Sequence, residues 1–469
     1  MIASTLAVDA YQLTTLVAHA DAGRLAHDVR MAFFFRRLPK HRRYVVFTGL
    51  EHVLRHAESM RLSPDEERAL SAHPMLGPAL AHRPALARAL AELDGFDGEI
   101  DAMPEGSLAF AGPAHRTDGL PFVLGDAQVT AYTPLFQIRT DMLRAKLVET
   151  PWLGYVNYMS MVASKAARVV GASGGKPVFE FGQRRTHPIA AADAAWAAYV
   201  AGVTGSSNMA AFGAFGVPAF GTMDHFAVQA AERPGEPRAA TERAVFEAMR
   251  AAFPGVRMTF LVDTYDTERG LAAAVEAAAG QPFSVRIDSN VSVASMKRAR
   301  EVLTNLGATD AQIYVSDGLD EHRVAELAPY VDGFGVGENI TCSPDAATGV
   351  GAVAKLVVNG YGKTTMKVAK GTGKATLPGV LQVHRFSDHD VIALADEPSP
   401  GGRALLRRVW QGKKRAEEPG TAEAARARAA ADLAELEGVG GLTDAPPRKL
   451  VLSDALVQLV TRLYEEAAR

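Results

Sequence analysis

Residues 258–290 read MTFLVDTYDTERGLAAAVEAAAGQPFSVRIDSN. Two short apolar runs, Met258 to Val262 and Ser284 to Ile287, flank an alanine-rich stretch, Thr267 to Ala279, with helical spacing. The runs are too short for helices and are bounded by polar and turn residues, as strands are. The first ends in Asp263-Thr264-Tyr265-Asp266 and the second in Asp288-Ser289-Asn290. A strand, a helix and a strand in this length predict a right-handed βαβ unit with parallel strands.

The same alternation continues in both directions. Val178 to Phe181 reads as a strand running into Gly182-Gln183-Arg184-Arg185. Thr241 to Phe253 reads as a helix capped by Thr241, and Val293 to Leu306 as another helix. Ile313 to Val315 is a strand running into Ser316-Asp317-Gly318, Leu319 to Leu327 a helix, and Gly333 to Val336 a strand running into Gly337-Glu338. A long helix is expected over Trp152 to Val170, ended by Gly171. This pattern predicts an α/β fold with a parallel sheet or barrel. Residues 1–150 read as a mixed α+β domain, with strands at Phe33 to Phe35 and Val45 to Phe47 and short helices from Leu54 to Leu93. The barrel domain is placed at 151–360. Residues 361–469 form a C-terminal segment with a helix over Thr421 to Glu437, a break at Pro446-Pro447 and a last helix capped by Ser453.

In a parallel barrel the C-terminal strand ends share one face, and active sites form there. Asp263, Asp288 and Asp317 follow successive strands about one βα unit apart. Arg184, Arg185 and Arg286 offer planar donors suited to phosphate or carboxylate. Asp288 and Asp317 can accept from sugar hydroxyls or hold Mg²⁺ through water. Glycines at 333, 335 and 337 let backbone N–H groups approach a phosphate. The set suits a phosphorylated sugar, although Arg184-Arg185 alone would read as a surface pair. His225 lies in Gly221-Thr222-Met223-Asp224-His225, after the apolar run Val217 to Phe220. An imidazole beside a carboxylate can act as base or nucleophile, although most histidines pack or face solvent. Gly371-Thr372-Gly373-Lys374 departs from a phosphate-binding loop, with Val368 for the first glycine and Ala375 for the final Ser or Thr.

The bulk properties exclude other classes. Apolar residues at 48 % and charged residues at 22 % describe an ordinary globular chain, so disorder is not expected. A net charge of −3 gives no reason to expect nucleic acid or an anionic membrane. Cys342 is the single cysteine, which rules out intramolecular disulfides and multi-thiolate zinc sites and suits a reducing cytoplasm. Met1 to Ala10 lacks a basic segment followed by an apolar run, so no leader is expected, and no apolar stretch is long enough to span a membrane.

An ordered set of motifs resembles the nicotinate phosphoribosyltransferase family. It comprises Val8-Asp9-Ala10-Tyr11-Gln12-Leu13-Thr14, Phe35-Arg36-Arg37-Leu38-Pro39, Met103-Pro104-Glu105-Gly106, Ser164-Lys165-Ala166-Ala167-Arg168, Phe181 to Arg185, Gly205-Ser206-Ser207-Asn208, Gly221-Thr222-Met223 with His225, Val262 to Thr267, Phe334 to Gly337, and Pro378-Gly379. The resemblance implies an irregular parallel α/β barrel beside a second domain built from both chain ends. It implies nicotinate and phosphoribosyl pyrophosphate as substrates in the salvage branch of NAD biosynthesis, with Mg²⁺, and ATP coupled through phosphorylation of His225. It implies Tyr11 and Phe181 as walls for the pyridine ring, with Tyr11 from a partner subunit of a homodimer. Thr222 and Arg286 would hold the carboxylate. Arg184, Asp288, Asp317, Gly335 and Gly337 would hold the phosphoribosyl group, with Asp288 counted with His225 as catalytic. The matching position in related nicotinamide enzymes is aspartate; the neutral Ser207 favours the acid.

Three segments depart from the family pattern. Asp288-Ser289-Asn290-Val291 stands where it reads Asp-Ser-Gly-Asp, Glu338 where Thr is common, and Asp224 where a small residue precedes the histidine. Two alternatives therefore stay open at this level: a transferase for another aromatic acid, and a non-catalytic nucleotide-binding relative.

Overall fold

The computed structural model describes residues 2–38, 42–342, 351–368, 375–417, 420–438 and 448–467. The Gly371–Lys374 stretch, Pro39 and Pro446-Pro447 lie outside them. The chain forms two compact units, Ser164–Ala347 and, from both chain ends, Met1–Ala163 with Thr348–Arg469.

The Ser164–Ala347 unit is built on a six-stranded sheet. In chain order its strands are β1 (Val178–Glu180), β2 (Gly205–Ser206), β3 (Met258–Leu261), β4 (Phe283–Ile287), β5 (Gln312–Ser316) and β6 (Gly333–Val336). They lie in the order β2-β1-β6-β5-β4-β3, and every neighbouring pair is parallel. Among the described residues no pairing joins β2 to β3, so the sheet is an open wall. Its strands are almost wholly buried, as expected of a parallel sheet covered on both faces.

The helices between the strands start where side-chain caps occur. Asp266 Oδ1 accepts the Arg269 N–H at 2.9 Å and starts Thr267–Ala278. A reciprocal Ser292–Ser295 box starts Val293–Asn305, and Asp320 starts Glu321–Leu327. Two expectations shift. Thr241 does not cap its helix, which begins earlier at Arg238 with Pro237 as N-cap, the Pro237 carbonyl accepting the Thr241 N–H at 3.2 Å. The long helix begins at Met142 rather than Trp152 and runs through Pro151 to Ala172, a proline that removes one helical hydrogen bond without ending the helix.

The other unit holds two six-stranded sheets, one wholly antiparallel and one mixed. One runs Ala352–Val358, Asp28–Phe35, Pro134–Asp141, Gly98–Ala102, Arg407–Gly412, Lys414–Arg415, combining strands from both chain ends. Phe33, Phe34 and Phe35 are core residues of it, with Phe33 stacked on Phe136 at 4.3 Å between ring centroids. Buried Trp152 donates its indole N–H to His56 Nδ1 at 3.1 Å, and burial pushes His56 down to about 4, so the ring stays neutral and can accept. The second sheet holds a buried ion cluster. Asp390 accepts from Arg385 at 2.9 Å and Arg448 at 2.8 Å, and Asp432 accepts from Arg385 at 2.8 Å.

Asp390 is 0 % exposed, so its loss leaves buried Arg448 with carbonyl partners alone and Arg385 with Asp432 as its remaining carboxylate. Asp390→Ala is expected to destabilise this unit by about 3–5 kcal/mol, read as a lower urea midpoint of unfolding.

Candidate active site

A cavity of about 720 Å³ opens at the C-terminal ends of the parallel strands. Its lining includes Phe181, Thr222, Arg286, Asp288, Asp317 and Gly337, contributed by the segments after β1, β2, β4, β5 and β6. Arg184 and Gly335 also line it. Most of the residues singled out from strand ends in this unit therefore meet in one place, whereas Asp263, Gly333 and His225 are not among the lining residues.

The centre of the site is Asp288. Its backbone N–H donates to Asp263 Oδ2 at 2.8 Å, and the Ser289 hydroxyl donates to the same oxygen at 2.6 Å. Its own Oδ1 accepts the Ser316 hydroxyl at 2.6 Å. Its Oδ2 lies 3.8 Å from Arg286 Nη2 and 4.0 Å from His225 Nε2. Arg286 Nη1 donates to the Thr222 hydroxyl at 2.8 Å. The mostly buried Arg286 has its basicity lowered first by burial, while Asp288 and Asp263 raise it and Arg184 lowers it. A guanidinium remains charged under such shifts. Its Nε is buried and has no hydrogen-bond partner among the described residues.

His225 begins the helix His225–Ala230, capped by Asp224, whose Oδ1 accepts the Ala227 N–H at 2.9 Å. That cap is the physical reason an aspartate stands before the histidine. His225 Nδ1 lies 3.1 Å from the Thr264 hydroxyl, so one ring nitrogen is held while the other faces Asp288.

The glycines have a second use. A Cβ on Gly335 would overlap the ring edge of Phe181, and one on Gly337 would come within 3.2 Å of the Phe181 carbonyl. Asn339 Nδ2 donates to the carbonyls of Gly318 and Leu319 at 2.9 and 3.0 Å, tying the loop after β6 to the loop after β5.

The departures from the family pattern also acquire geometry. Asn290 has φ 52°, the left-handed conformation that glycine or asparagine adopts most readily. Glu338 Oε2 lies 3.6 Å from Arg185 Nε, with both side chains about half exposed. Tyr11 belongs to the other unit, where it is 53 % exposed in the first turn of Ala10–Asp21, with Lys146 Nζ 5.5 Å from its ring centroid.

Sequence reasoning did not single out Thr264, Ser316 or Glu180. Thr264 and Ser316 sit inside quoted strand-end motifs, and Glu180 is a carboxylate inside an apolar run, the one signal of an unusual buried charge. Among the described residues no three His, Cys, Asp or Glu side chains are placed to hold a metal ion, and no helix is long and apolar enough to cross a membrane.

Glu242 is a further buried acid beside this face. It is 1 % exposed on the helix Arg238–Ala252, and its Oε1 has no hydrogen-bond partner among the described residues. Burial, then the charges of Asp266 and Asp263, push it up to about 7 from an ordinary 4.5. The folded chain thus binds this proton more tightly than the unfolded chain. The stability it contributes is complete below about pH 4.5 and is lost as pH rises through about 7. Glu242→Gln keeps a neutral side chain at every pH. Its thermal midpoint should exceed that of the parent at pH 8, and the gap should close on acidification toward pH 4.5.

Comparison with known proteins shows the family. Residues 6–119 match the nicotinate phosphoribosyltransferase (NAPRTase) N-terminal domain, and residues 177–393 match the nicotinate phosphoribosyltransferase (NAPRTase) family. The chain is 38 % identical to nicotinate phosphoribosyltransferase pncB1 of Mycobacterium tuberculosis over 354 residues, covering 75 % of this chain and 72 % of that protein. It is 31 % identical to the Homo sapiens nicotinate phosphoribosyltransferase over 471 residues, covering 87 % of this chain and 82 % of that one. The crystal structure of human nicotinic acid phosphoribosyltransferase superposes with a TM-score of 0.79 at 27 % identity, covering 97 % of this chain and 99 % of that one. With both domains matched and that identity sustained over most of its length, the chain belongs to the nicotinate phosphoribosyltransferase family.

Proposed function

We infer that this chain joins nicotinate to phosphoribosyl pyrophosphate, giving nicotinate mononucleotide and pyrophosphate for NAD biosynthesis. The observation that carries the reading is the Thr222–Arg286–Asp288 arrangement: a buried guanidinium steadied by a hydroxyl, with a carboxylate 3.8 Å away, on the wall of one cavity. Arg286 lines the cavity and suits the nicotinate carboxylate. Phe181 offers a flat apolar wall to the pyridine ring, and Ser207 adds no negative charge beside the acid.

In the reaction the pyridine nitrogen forms a bond to the ribose C1 while the bond from C1 to the diphosphate oxygen breaks, so no proton need leave the ring. Positive charge grows at the sugar during that exchange. The Asp288 carboxylate is the group read here as stabilising it, with Ser316 and the Asp263 tether holding it in place. Arg184, Asp317, Gly335 and Gly337 are read as the phosphoribosyl side of the cavity, with Gly335 chiefly making room for Phe181.

Mg²⁺ would be carried with the diphosphate. Asp288 and Asp317 fit it as partners through water, since no direct three-residue protein cage exists among the described residues. When bound, the ion neutralises diphosphate charge. His225 is read as the phosphoryl acceptor from ATP, with Thr264 orienting its ring. We also place Tyr11 across a homodimer boundary on the pyridine ring, supported by its exposure, and take the parallel sheet as part of a barrel in a cytoplasmic enzyme. The arrangement at Asn290 and Glu338 favours this reading over a non-catalytic relative.

The test is pyrophosphate release from phosphoribosyl pyrophosphate across a panel of pyridine acids and amides, with and without ATP. Nicotinate should be preferred and ATP should stimulate it; absence of release with every base would refute the reading. Arg286→Ala should raise the KM for nicotinate roughly tenfold or more, the loss of about 1.5–3 kcal/mol of charged hydrogen bonding. His225→Ala should abolish ATP stimulation while leaving the circular dichroism spectrum unchanged, and ATP coupling at the parental level would remove His225 from that role.

A further inference from the structure

Glu180 ends β1 at 1 % exposure, and no step above uses its carboxyl. Its Oε2 accepts the Ser206 hydroxyl at 2.6 Å, and its Oε1 accepts the Gly182 N–H. The Ser206 oxygen in turn accepts the Asn208 N–H at 3.0 Å, and the Glu180 carbonyl accepts the Ser207 N–H at 3.0 Å. Glu180 and Ser206 are register partners across β1 and β2. A Cβ on Gly182 would overlap Thr341 and crowd the Glu180 carboxyl, so the loop lies directly against it.

Two loops thus meet on one buried carboxyl. The first carries Phe181 and the second Ser207, and both residues line the cavity. Burying a carboxyl is costly unless its oxygens are satisfied, and a strand position needing only packing is filled better by Val or Leu. Burial pushes this carboxyl up, and the bonds from Ser206 and Gly182 pull it down.

We propose that Glu180 is a positioning residue of the base pocket, whose carboxyl sets the spacing between Phe181 and Ser207 and so tunes affinity for the pyridine acid without touching it. The proposal rests on the nicotinate placement given above. It extends that placement from the pocket walls to the group that holds them apart.

Glu180→Gln can keep the Gly182 N–H on its amide oxygen only by turning its NH₂ to Ser206, whose hydroxyl must then accept instead of donate, so the Ser206 bond is reversed and its proton loses this acceptor. Steady-state kinetics for both substrates and thermal midpoints are measured on the full chain. In Glu180→Gln the KM for nicotinate should rise roughly tenfold, while the KM for phosphoribosyl pyrophosphate and kcat at saturation move by less than about threefold. Ser206→Ala should shift the nicotinate KM in the same direction by less. The double variant should be no worse than Glu180→Gln alone, because the two residues act through one bond. A parental nicotinate KM in Glu180→Gln overturns the proposal. So does an equal rise in both KM values with a lowered midpoint, the signature of general loosening. If Glu180→Gln does not fold, Ser206→Ala decides by the same criterion. Phe181→Ala separates the two levels of inference. If it raises the nicotinate KM while Glu180→Gln does not, the positioning role alone fails; if neither moves it, the base lies elsewhere and both fall.

Discussion

One oxygen of Asp263 accepts both the Asp288 N–H and the Ser289 hydroxyl, at 2.8 and 2.6 Å. Asp263 follows β3 and Asp288 follows β4, so a carboxylate at one strand end sets the backbone of the next. Asp288 passes the constraint on by accepting from Ser316, the last residue of β5. Three adjacent strands are therefore fastened at their C-terminal ends by side chains, beyond the ladder that fastens their middles. Parallel strands end level with one another, and here that edge is a row of loops with fixed relative heights. An active site assembled from several loops needs that, because a displacement of about 1 Å in a reacting group can cost roughly a hundredfold in rate.

Charge is distributed along that edge in a way burial makes consequential. Arg286 is mostly buried, and Asp288 and Asp263 support its charge against desolvation. Asp288 lies near both Arg286 and His225, so any change in the charge of the imidazole is felt by the carboxylate and through it by the guanidinium. Coupling of this kind is strong only where water is scarce. It links His225 to Arg286 by electrostatics alone, without requiring a moving segment. Glu242, held partly protonated beside Asp263 and Asp266, lightens the negative charge on the same edge near neutral pH.

Much of this was legible in the sequence because strand ends announce themselves. β3, β4, β5 and β6 were readable as short apolar runs, and the polar residues after them now line or brace one cavity. β2 was not, since a two-residue strand, Gly205–Ser206, carries no periodicity. The long helix, expected from Trp152, starts at Met142 and runs through Pro151, because tertiary packing can carry a helix past a proline that removes one of its hydrogen bonds. The bracing partners were hidden for a different reason. That Ser316 reaches Asp288, or Thr264 reaches His225, depends on two segments meeting, and the spacing within either segment says nothing of it. Gly335 illustrates the converse: the glycine pattern was visible, but its use as a seat for the Phe181 ring needed the neighbouring strand.

The two departures that clouded the phosphoribosyl side can be weighed by the constraint each residue meets. At position 290 the backbone demands a positive φ, which a Cβ ordinarily penalises by about 1–2 kcal/mol, and asparagine is among the residues that bear it best. The turn is thereby kept, and the Asn290 carbonyl is used, accepting the Ser295 hydroxyl at 2.7 Å. Val291 is buried, and its carbonyl accepts from Arg323, so an apolar side chain there serves packing. At position 338 the issue is electrostatic. A free carboxylate 4 Å from a phosphate would be repelled by about 4 kcal/mol at an effective dielectric near 20. Arg185 stands 3.6 Å from Glu338 and shares the cavity wall with it. An exposed pair of this kind adds at most about 1 kcal/mol to stability. Its effect on a bound anion is larger in kind: the field of the carboxylate is offset at its source. Glu338 adds an acid to the cavity wall, and an arginine already present in the Phe181–Arg185 segment lies close enough to neutralise it.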